Sequence, residues 1–430
     1  RTRRRGVEGI ETRMIGRDNE LAVLQQAFQD VIIGGETRVV TIVGDAGVGK
    51  SRLLFEFENW VDRRPERVYH FKGRATPALQ SVPHSLWRDL LSNRFDILDS
   101  DSPAVALSKF RKGMGTVDGD TASAPNATPH VTDIVGHWLG FDFSSSPAVA
   151  RLAGSPDFAA LAQAHFLRFA RLLASQPGVA VLLEDIHWAD DSSLDLIYRL
   201  VEAVPDARLL VICLTRPSLF DRRPPWGERL PGYREVRLSP LDPPASRALV
   251  DEILKRADTV PDTLSTLVVE SAEGNPFYIE ELIKMLIEQG VIVRGAGAVE
   301  AAEGEARERW RIDEEKIGVV AVPPTLTALL QARLDGLPRE EREVLQRAAI
   351  VGRIFWDDAV AALMDSETRG AAEATPGGLI DESTRVASTP DDLNAILDSL
   401  ARRELITGRE RPAFAGTREY SFRHNLLREV

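Results

Sequence analysis

Gly44, Asp45, Ala46, Gly47, Val48, Gly49, Lys50 and Ser51 spell G-x-x-x-x-G-K-S. Glycine-rich backbone that tolerates left-handed geometry can aim successive N–H groups at an anion. A lysine at the end of such a loop can reach the β- and γ-phosphates of a nucleotide, and the next hydroxyl can ligate Mg2+. Lys50 and Ser51 stand where that chemistry needs them. The flanks separate a phosphate-binding loop from a chance turn. Val39-Val40-Thr41-Ile42-Val43 reads as a buried parallel strand, and an amphipathic helix from Arg52 to Trp60 puts its positive dipole end on the same phosphates.

A phosphate loop alone leaves kinase, GTPase and ATPase open. The discriminating stretch is VAVLLEDIHWADDSSLDLI, in which Val179 to Leu183 bury a strand and deliver Glu184 and Asp185 at its carboxyl end. An open α/β sheet places its ligand chemistry there. One carboxylate would hold Mg2+ through water, and the other would orient or deprotonate an attacking water. Two adjacent acids also suit a plain charge pair at a helix start.

These side chains need a scaffold, and the chain has room for two to four domains: 430 residues, 43% hydrophobic and 27% charged. No apolar run could span a bilayer. A single cysteine, Cys213, forms no intrachain disulfide, which makes a reducing cytoplasm the default compartment. The net charge of −12 argues against non-specific binding of nucleic acid. Residues 1–13 read as a basic linker, and residues 14–240 as a parallel sheet covered by helices on both faces. Within that core the pattern predicts a strand over Arg67 to Phe71, helices over Ser85 to Phe95 and Ser192 to Val204, and a strand over Arg208 to Leu214. The polar stretch from Ser100 to Pro129 reads as a surface excursion or mobile loop. Residues 241–290 read as a helical lid broken at Gly274-Asn275-Pro276, 291–324 as a ribbon and connector, and 325–430 as a winged helix interrupted by a polar segment from Asp365 to Pro390.

The set M-I-G-R-D-N-E-L, G-D-A-G-V-G-K-S-R-L-L, L-L-E-D-I-H-W-A-D-D-S-S-L and E-G-N-P-F-Y-I-E-E-L resembles the signal-transduction ATPases with numerous domains, the STAND class. It is most similar to the AAA-type ATPase module behind class III nucleotide cyclase domains and in large LuxR-type regulators. The resemblance implies a P-loop ATPase core, a helical lid and a winged helix that clamp one ATP or ADP with Mg2+ and act as a slow, regulatory switch. It implies an effector domain upstream, a nucleotide cyclase first among the candidates, with helical repeats downstream and nucleotide-dependent self-association.

Carried over residue by residue, Gly44 to Ser51 wrap the phosphates with Arg52 beside them, and Ser51, Glu184 and Asp185 serve the metal. Arg17 lies near adenine or ribose, or else caps a helix at the surface. Arg216 senses the γ-phosphate, a role that suits a planar multi-donor guanidinium, or else is a solvated arginine before Pro217. Pro276 packs on adenine, while Asn275 and Pro276 also suit a helix cap and first turn. His424 reaches the β-phosphate of ADP and locks a closed state, or else caps the last helix or faces solvent. His187-Trp188-Ala189-Asp190 is diagnostic of the class without an obvious catalytic role, and Trp188 reads as core packing. Glu184 stands where many P-loop ATPases have Asp, which leaves open which acid serves the metal and argues against fast hydrolysis. Two alternatives share the core: the ATPase module of a transcriptional regulator or DNA-loading initiator, and a scaffold that binds nucleotide without turnover.

Overall fold

The structure, a computed structural model, describes residues 6–7, 10–115, 129–175, 178–299, 307–364, 390–409, 412, 414, 416–424 and 426–429. The first residues of the basic linker, the end of the polar excursion, the ribbon tip, nearly all of the polar segment at 365–390 and Asn425 lie outside the described residues. The chain divides into two units, Gly16–Ser239 and Arg1–Ile15 with Pro240–Val430. In the latter, short strands β1 (Gly6–Val7) and β2 (Ile10–Glu11) pair antiparallel.

The unit Gly16–Ser239 begins with α1 (Asp18–Gly34), β3 (Arg38–Val43), α2 (Lys50–Asp62), β4 (Tyr69–Arg74) and α3 (Ser85–Phe95). Then follow α4 (Pro103–Gly115), α5 (Pro129–Trp138), α6 (Pro147–Leu152), α7 (Phe158–Ala174) and β5 (Val179–Glu184). It ends in α8 (Asp191–Ala203), β6 (Leu209–Thr215), α9 (Ser218–Arg222) and β7 (Tyr233–Arg237). The five strands form one parallel sheet in the order β4-β5-β6-β3-β7. Helices cover it, so β5 and β6 are buried along their whole length and read as unbroken apolar runs. Leu86, Trp87, Leu90 and Leu91 of α3 and Phe166, Phe169 and Leu173 of α7 complete this core. This is the P-loop NTPase architecture, and it sets the carboxyl ends of β3, β5 and β6 side by side.

Two expectations need correction here. The stretch expected to be a surface excursion begins with a helix, α4, because Leu107, Phe110 and Met114 recur at helical spacing. Phe110 is fully buried, with its ring 5.6 Å from that of Phe95 and 5.4 Å from that of Phe143. Strand β4 starts at Tyr69 and runs on past Phe71 to Arg74. Gly73, beyond the expected end of the strand, is required by packing: a Cβ there would sit 2.8 Å from Leu90 Cβ and 3.0 Å from the Leu86 carbonyl of α3.

The other unit continues with α10 (Pro243–Ile253), α11 (Asp262–Ala272) and α12 (Pro276–Glu288), which share one apolar core. A ribbon of β8 (Ile292–Val299) and β9 (Arg307–Ile312) leads through α13 (Glu314–Ile317) to α14 (Leu326–Asp335). Then come α15 (Arg339–Val351), β10 (Ile354–Trp356), α16 (357–364), α17 (Pro390–Arg402), β11 (Ile406–Arg409), β12 (Glu419–Phe422) and α18 (Leu426–Glu429). Helix, strand, two helices and two strands, with the sheet ordered β10-β12-β11, is the topology of a winged helix. The end of the basic linker is not a free tether. Lys255 Nζ donates to the Glu11 carbonyl at 2.7 Å and the Arg13 amide to Glu252 Oε1 at 3.1 Å, so polar contacts hold a segment too poor in apolar residues to pack alone.

Charge crosses the interior of this unit. On α12, Glu281 and Lys284 are buried and paired at 2.7 Å. Arg333 of α14 pairs with Glu281 and, at 2.7 Å, with Glu288. Lys284 also reaches Glu404 at 3.1 Å, and Glu404 pairs with Arg423 at 2.7 Å. Among the described residues, no helix is long and apolar enough to cross a membrane.

Candidate functional site

Strand β3 lies between β6 and β7, and the loop that leaves its end is shaped by three glycines. Gly47 and Gly49 have φ of +86° and +102°, the left-handed geometry that turns N–H groups inward. Gly44 is needed for a close approach: a Cβ would sit 2.8 Å from Val48 Cγ2 and 3.1 Å from the Leu238 carbonyl. Ala46 is half-buried, and Asp45 is exposed. Helix α2 begins at Lys50, ahead of the expected Arg52, and no side chain caps it. Its first N–H groups and its dipole therefore face the loop.

Lys50 Nζ donates to the carbonyls of Gly44 at 2.6 Å and Asp45 at 2.8 Å. Burial pulls its ammonium down to about 8 against the attraction of Asp185, and the nearby Arg216 adds to the fall. A cation held this way gains from an anionic partner. The glycine cradle and this lysine fit a nucleotide's phosphates. Ser51 follows, exposed, on the first turn of α2.

Arg17 is buried, not on the surface. It donates to Val48 O at 3.3 Å and to Ser239 O, and pairs with Glu20 at 3.2 Å, which pins the loop's backbone from behind. Arg52 pairs with Glu56 one helical turn on at 2.8 Å.

Glu184 ends β5 and is 8% exposed. Burial would raise its pKa, but Arg74 and Lys72 outweigh that and hold it below the usual carboxylate range, with Lys72 Nζ at 3.2 Å and Arg74 Nη1 at 3.5 Å. Asp185 has φ of +57°, and its Oδ2 accepts from Arg74 Nε at 2.9 Å and Nη2 at 2.6 Å. One guanidinium thus ties both acids. Its own amide donates to Asp89 Oδ2 at 2.8 Å, and burial pushes the Asp89 carboxyl up to about 6.

Arg74, Lys72 and Asp89 were not among the expected site residues. The signal was the alternation of Phe71 and Gly73 with Lys72 and Arg74, which carries β4 to the same sheet edge as the acids.

Arg216 follows β6 half-buried, and its charge acts on both Lys50 and His187. His187 lies on a 3-10 turn (Ile186–Trp188), is 4% exposed, and neither ring nitrogen has a hydrogen-bond partner among the described residues. Burial and then the cations Arg216, Lys50 and Arg222 push it down to about 4 against the pull of Asp185, so the ring is neutral. Trp188 packs on the core, and Asp190 caps α8 by accepting from the Ser193 amide at 2.9 Å. The structure therefore brings Lys50, Ser51, Glu184, Asp185 and Arg216 to one end of the sheet. Among the described residues no group of three or more His, Cys, Asp or Glu could hold a metal by itself. The donor set suits Mg2+, which takes one or two protein ligands and completes its shell with phosphate oxygens and water.

Pro276 and His424 belong to the other unit. Asn275 caps α12 by accepting from the amides of Phe277 and Tyr278, and Pro276 is the first helical residue. Gly274 has φ of +78° and leaves no room for a Cβ against the Leu241 carbonyl. The His424 ring stacks on Phe277, with centroids 3.8 Å apart and planes 13° from parallel.

Residues 13–212 match the family model of the AAA ATPase domain. An uncharacterized protein of Rhizobium meliloti is 25% identical over 432 residues, which cover 97% of this chain and 35% of that protein. The chain thus spans about a third of the length of the curated relative it matches. Among solved structures, a signal transduction ATPase with numerous domains and a tetratricopeptide repeat sensor from Pyrococcus horikoshii is similar, with a TM-score of 0.42 and 14% identity, covering 98% of this chain and 42% of that one. The Aeropyrum pernix ORC1 protein in complex with DNA is similar with a TM-score of 0.38 and 12% identity, covering 98% of this chain and 92% of that one.

Proposed function

We propose that this chain, which carries an AAA-type P-loop ATPase domain over residues 13–212 and motifs resembling the STAND class, is a slow, nucleotide-operated switch governing a fused effector. ATP and ADP bind at Gly44–Ser51. Lys50 leaves the loop carbonyls for the β- and γ-phosphates. Ser51 with Asp185 and Glu184 would hold Mg2+, which when bound neutralises charge on the phosphate oxygens. Arg216 meets the charge that develops on the γ-phosphate. Pro276 on adenine and His424 on ADP remain parts of this proposal, as does an effector of the nucleotide cyclase kind in a reducing cytoplasm.

The observation that carries the slow, regulated character is the tie of Glu184 and Asp185 to Arg74. Acids engaged by a guanidinium are withheld from water and metal until that contact opens. Arg74→Gln is expected to raise single-turnover phosphate release several-fold without changing ATP affinity, while Glu184→Gln in the same background abolishes release. Unchanged or slower release from Arg74→Gln would overturn the withheld-acid reading. The winged helix favours a second reading, a DNA-loading ATPase, but its third helix, α17, exposes Asp392 and Asp398 in a chain of net charge −12. Salt-dependent affinity for duplex DNA would reinstate that reading.

A further inference from the structure

His187 is fixed in place, and its ring nitrogens have no hydrogen-bond partner among the described residues. Its carbonyl accepts from Arg222 Nη1 at 2.7 Å, that of Ala189 accepts from Arg222 Nη2 at 3.1 Å, and the imidazole lies 5.1 Å from the Trp188 ring. The main chain is therefore anchored just beyond the side chain. The residue is 4% exposed, and both ring nitrogens are without a partner among the described residues. A buried donor and acceptor left unmade destabilise a fold, and an aliphatic side chain would occupy the space without that cost. Unmatched polar groups of this kind point to a ligand.

The surroundings say which ligand. His187 follows Asp185 by two residues on the turn that leaves the carboxyl end of β5, and β5 pairs with β6, whose end leads into Arg216. Lys50 stands at the start of α2, after the loop that leaves β3. Asp185 and Arg216 follow neighbouring strands, and on the ATP-binding reading that end of the sheet receives the terminal phosphate, beyond those held by the glycine loop. An imidazole N–H there adds a directed donor. It can therefore favour a triphosphate through one hydrogen bond and leave a diphosphate unaffected.

The geometry points to His187 as a contact for the terminal phosphate of a nucleoside triphosphate, one ring nitrogen donating to a γ-phosphate oxygen. This rests on the ATP-binding reading above. Calorimetric titration of the parent chain, His187→Leu and His187→Gln with a non-hydrolysable ATP analogue and with ADP tests it. Leucine fills much of the space without polar atoms, and glutamine keeps a donor and an acceptor. His187→Leu is expected to weaken the analogue about ten- to a hundredfold while ADP changes by less than about twofold. His187→Gln should recover part of the loss, and the ligand-free melting temperature of His187→Leu should equal or exceed the parent's. Equal losses for both nucleotides, or no loss for either, would overturn the assignment. A lower ligand-free melting temperature with an unchanged nucleotide ratio would assign the ring to packing. A parent chain that binds neither nucleotide would instead remove the ATP-binding reading itself.

Discussion

The two units use buried charge in opposite ways. At the sheet end of the core, Lys50 is engaged only by two loop carbonyls and His187 by nothing among the described residues. In the other unit, Glu281, Lys284, Arg333, Glu404 and Arg423 form ion pairs with one another and link α12, α14 and the winged helix. The first set has few protein partners among the described residues, and the second is tied up within the fold. Location inside the protein does not separate them, but the state of their partners does.

The largest expected effect follows from breaking the ion-paired set. Glu281→Ala leaves Arg333 and Lys284 buried without their shared partner, and should cost about 3–5 kcal/mol in denaturant unfolding. Replacing Glu281, Lys284 and Arg333 together by methionine should restore most of that, because apolar residues of similar volume substitute well for a buried ion network. If the triple variant is no more stable than Glu281→Ala, the network is not acting as a unit.

In the core the same operation should cost function instead. Lys50→Met is expected to remove about 2–3 kcal/mol of ATP affinity, the scale of hydrogen bonds to a charged phosphate. Its ligand-free melting temperature should match or exceed the parent's, since a poorly compensated cation is gone. Calorimetry and thermal unfolding on the same samples check both halves. A destabilised Lys50→Met would place Lys50 with the fold-bearing charges.

The smallest effect concerns Asp89, which burial raises to about 6 from a usual value near 4. Its folded pKa is the higher one, so its contribution is full below about pH 4 and is lost as pH rises through about 6. Asp89→Asn should flatten that part of the stability curve by about 1–2 kcal/mol, measured by urea unfolding between pH 4 and 7. An unchanged slope would show that Asp89 is ionised throughout.

Much of the core was legible because its signals are local. The strand before Gly44, the helix from Ser85 to Phe95 and the cap at Asn275 all rest on residues adjacent in sequence. What escaped depends on residues far apart. Arg74 meets Glu184 and Asp185 only once β4 pairs with β5, and the need for glycine at 73 arises only where α3 lies over it. Glu281 and Lys284 are charged residues on one helix, α12. They are buried because Arg333 and Glu404 arrive from elsewhere in the chain. His187 was visible as part of a motif, but the feature that gives it meaning, two nitrogens without partners among the described residues, exists only in three dimensions.

The strand order also bears on how this molecule is made. Strand β3 takes its neighbours from β6 and β7, which follow it by roughly 170 residues or more. On the ribosome, Val39 to Val43 emerge long before Leu210 or Tyr233 exists. At about 5–20 residues per second, this apolar strand waits roughly ten to forty seconds without a lateral partner. Pairing of such long range is slow and leaves an aggregation-prone edge meanwhile. The phosphate-binding loop hangs from that strand, so nucleotide can become a folding ligand only after β7 has been translated.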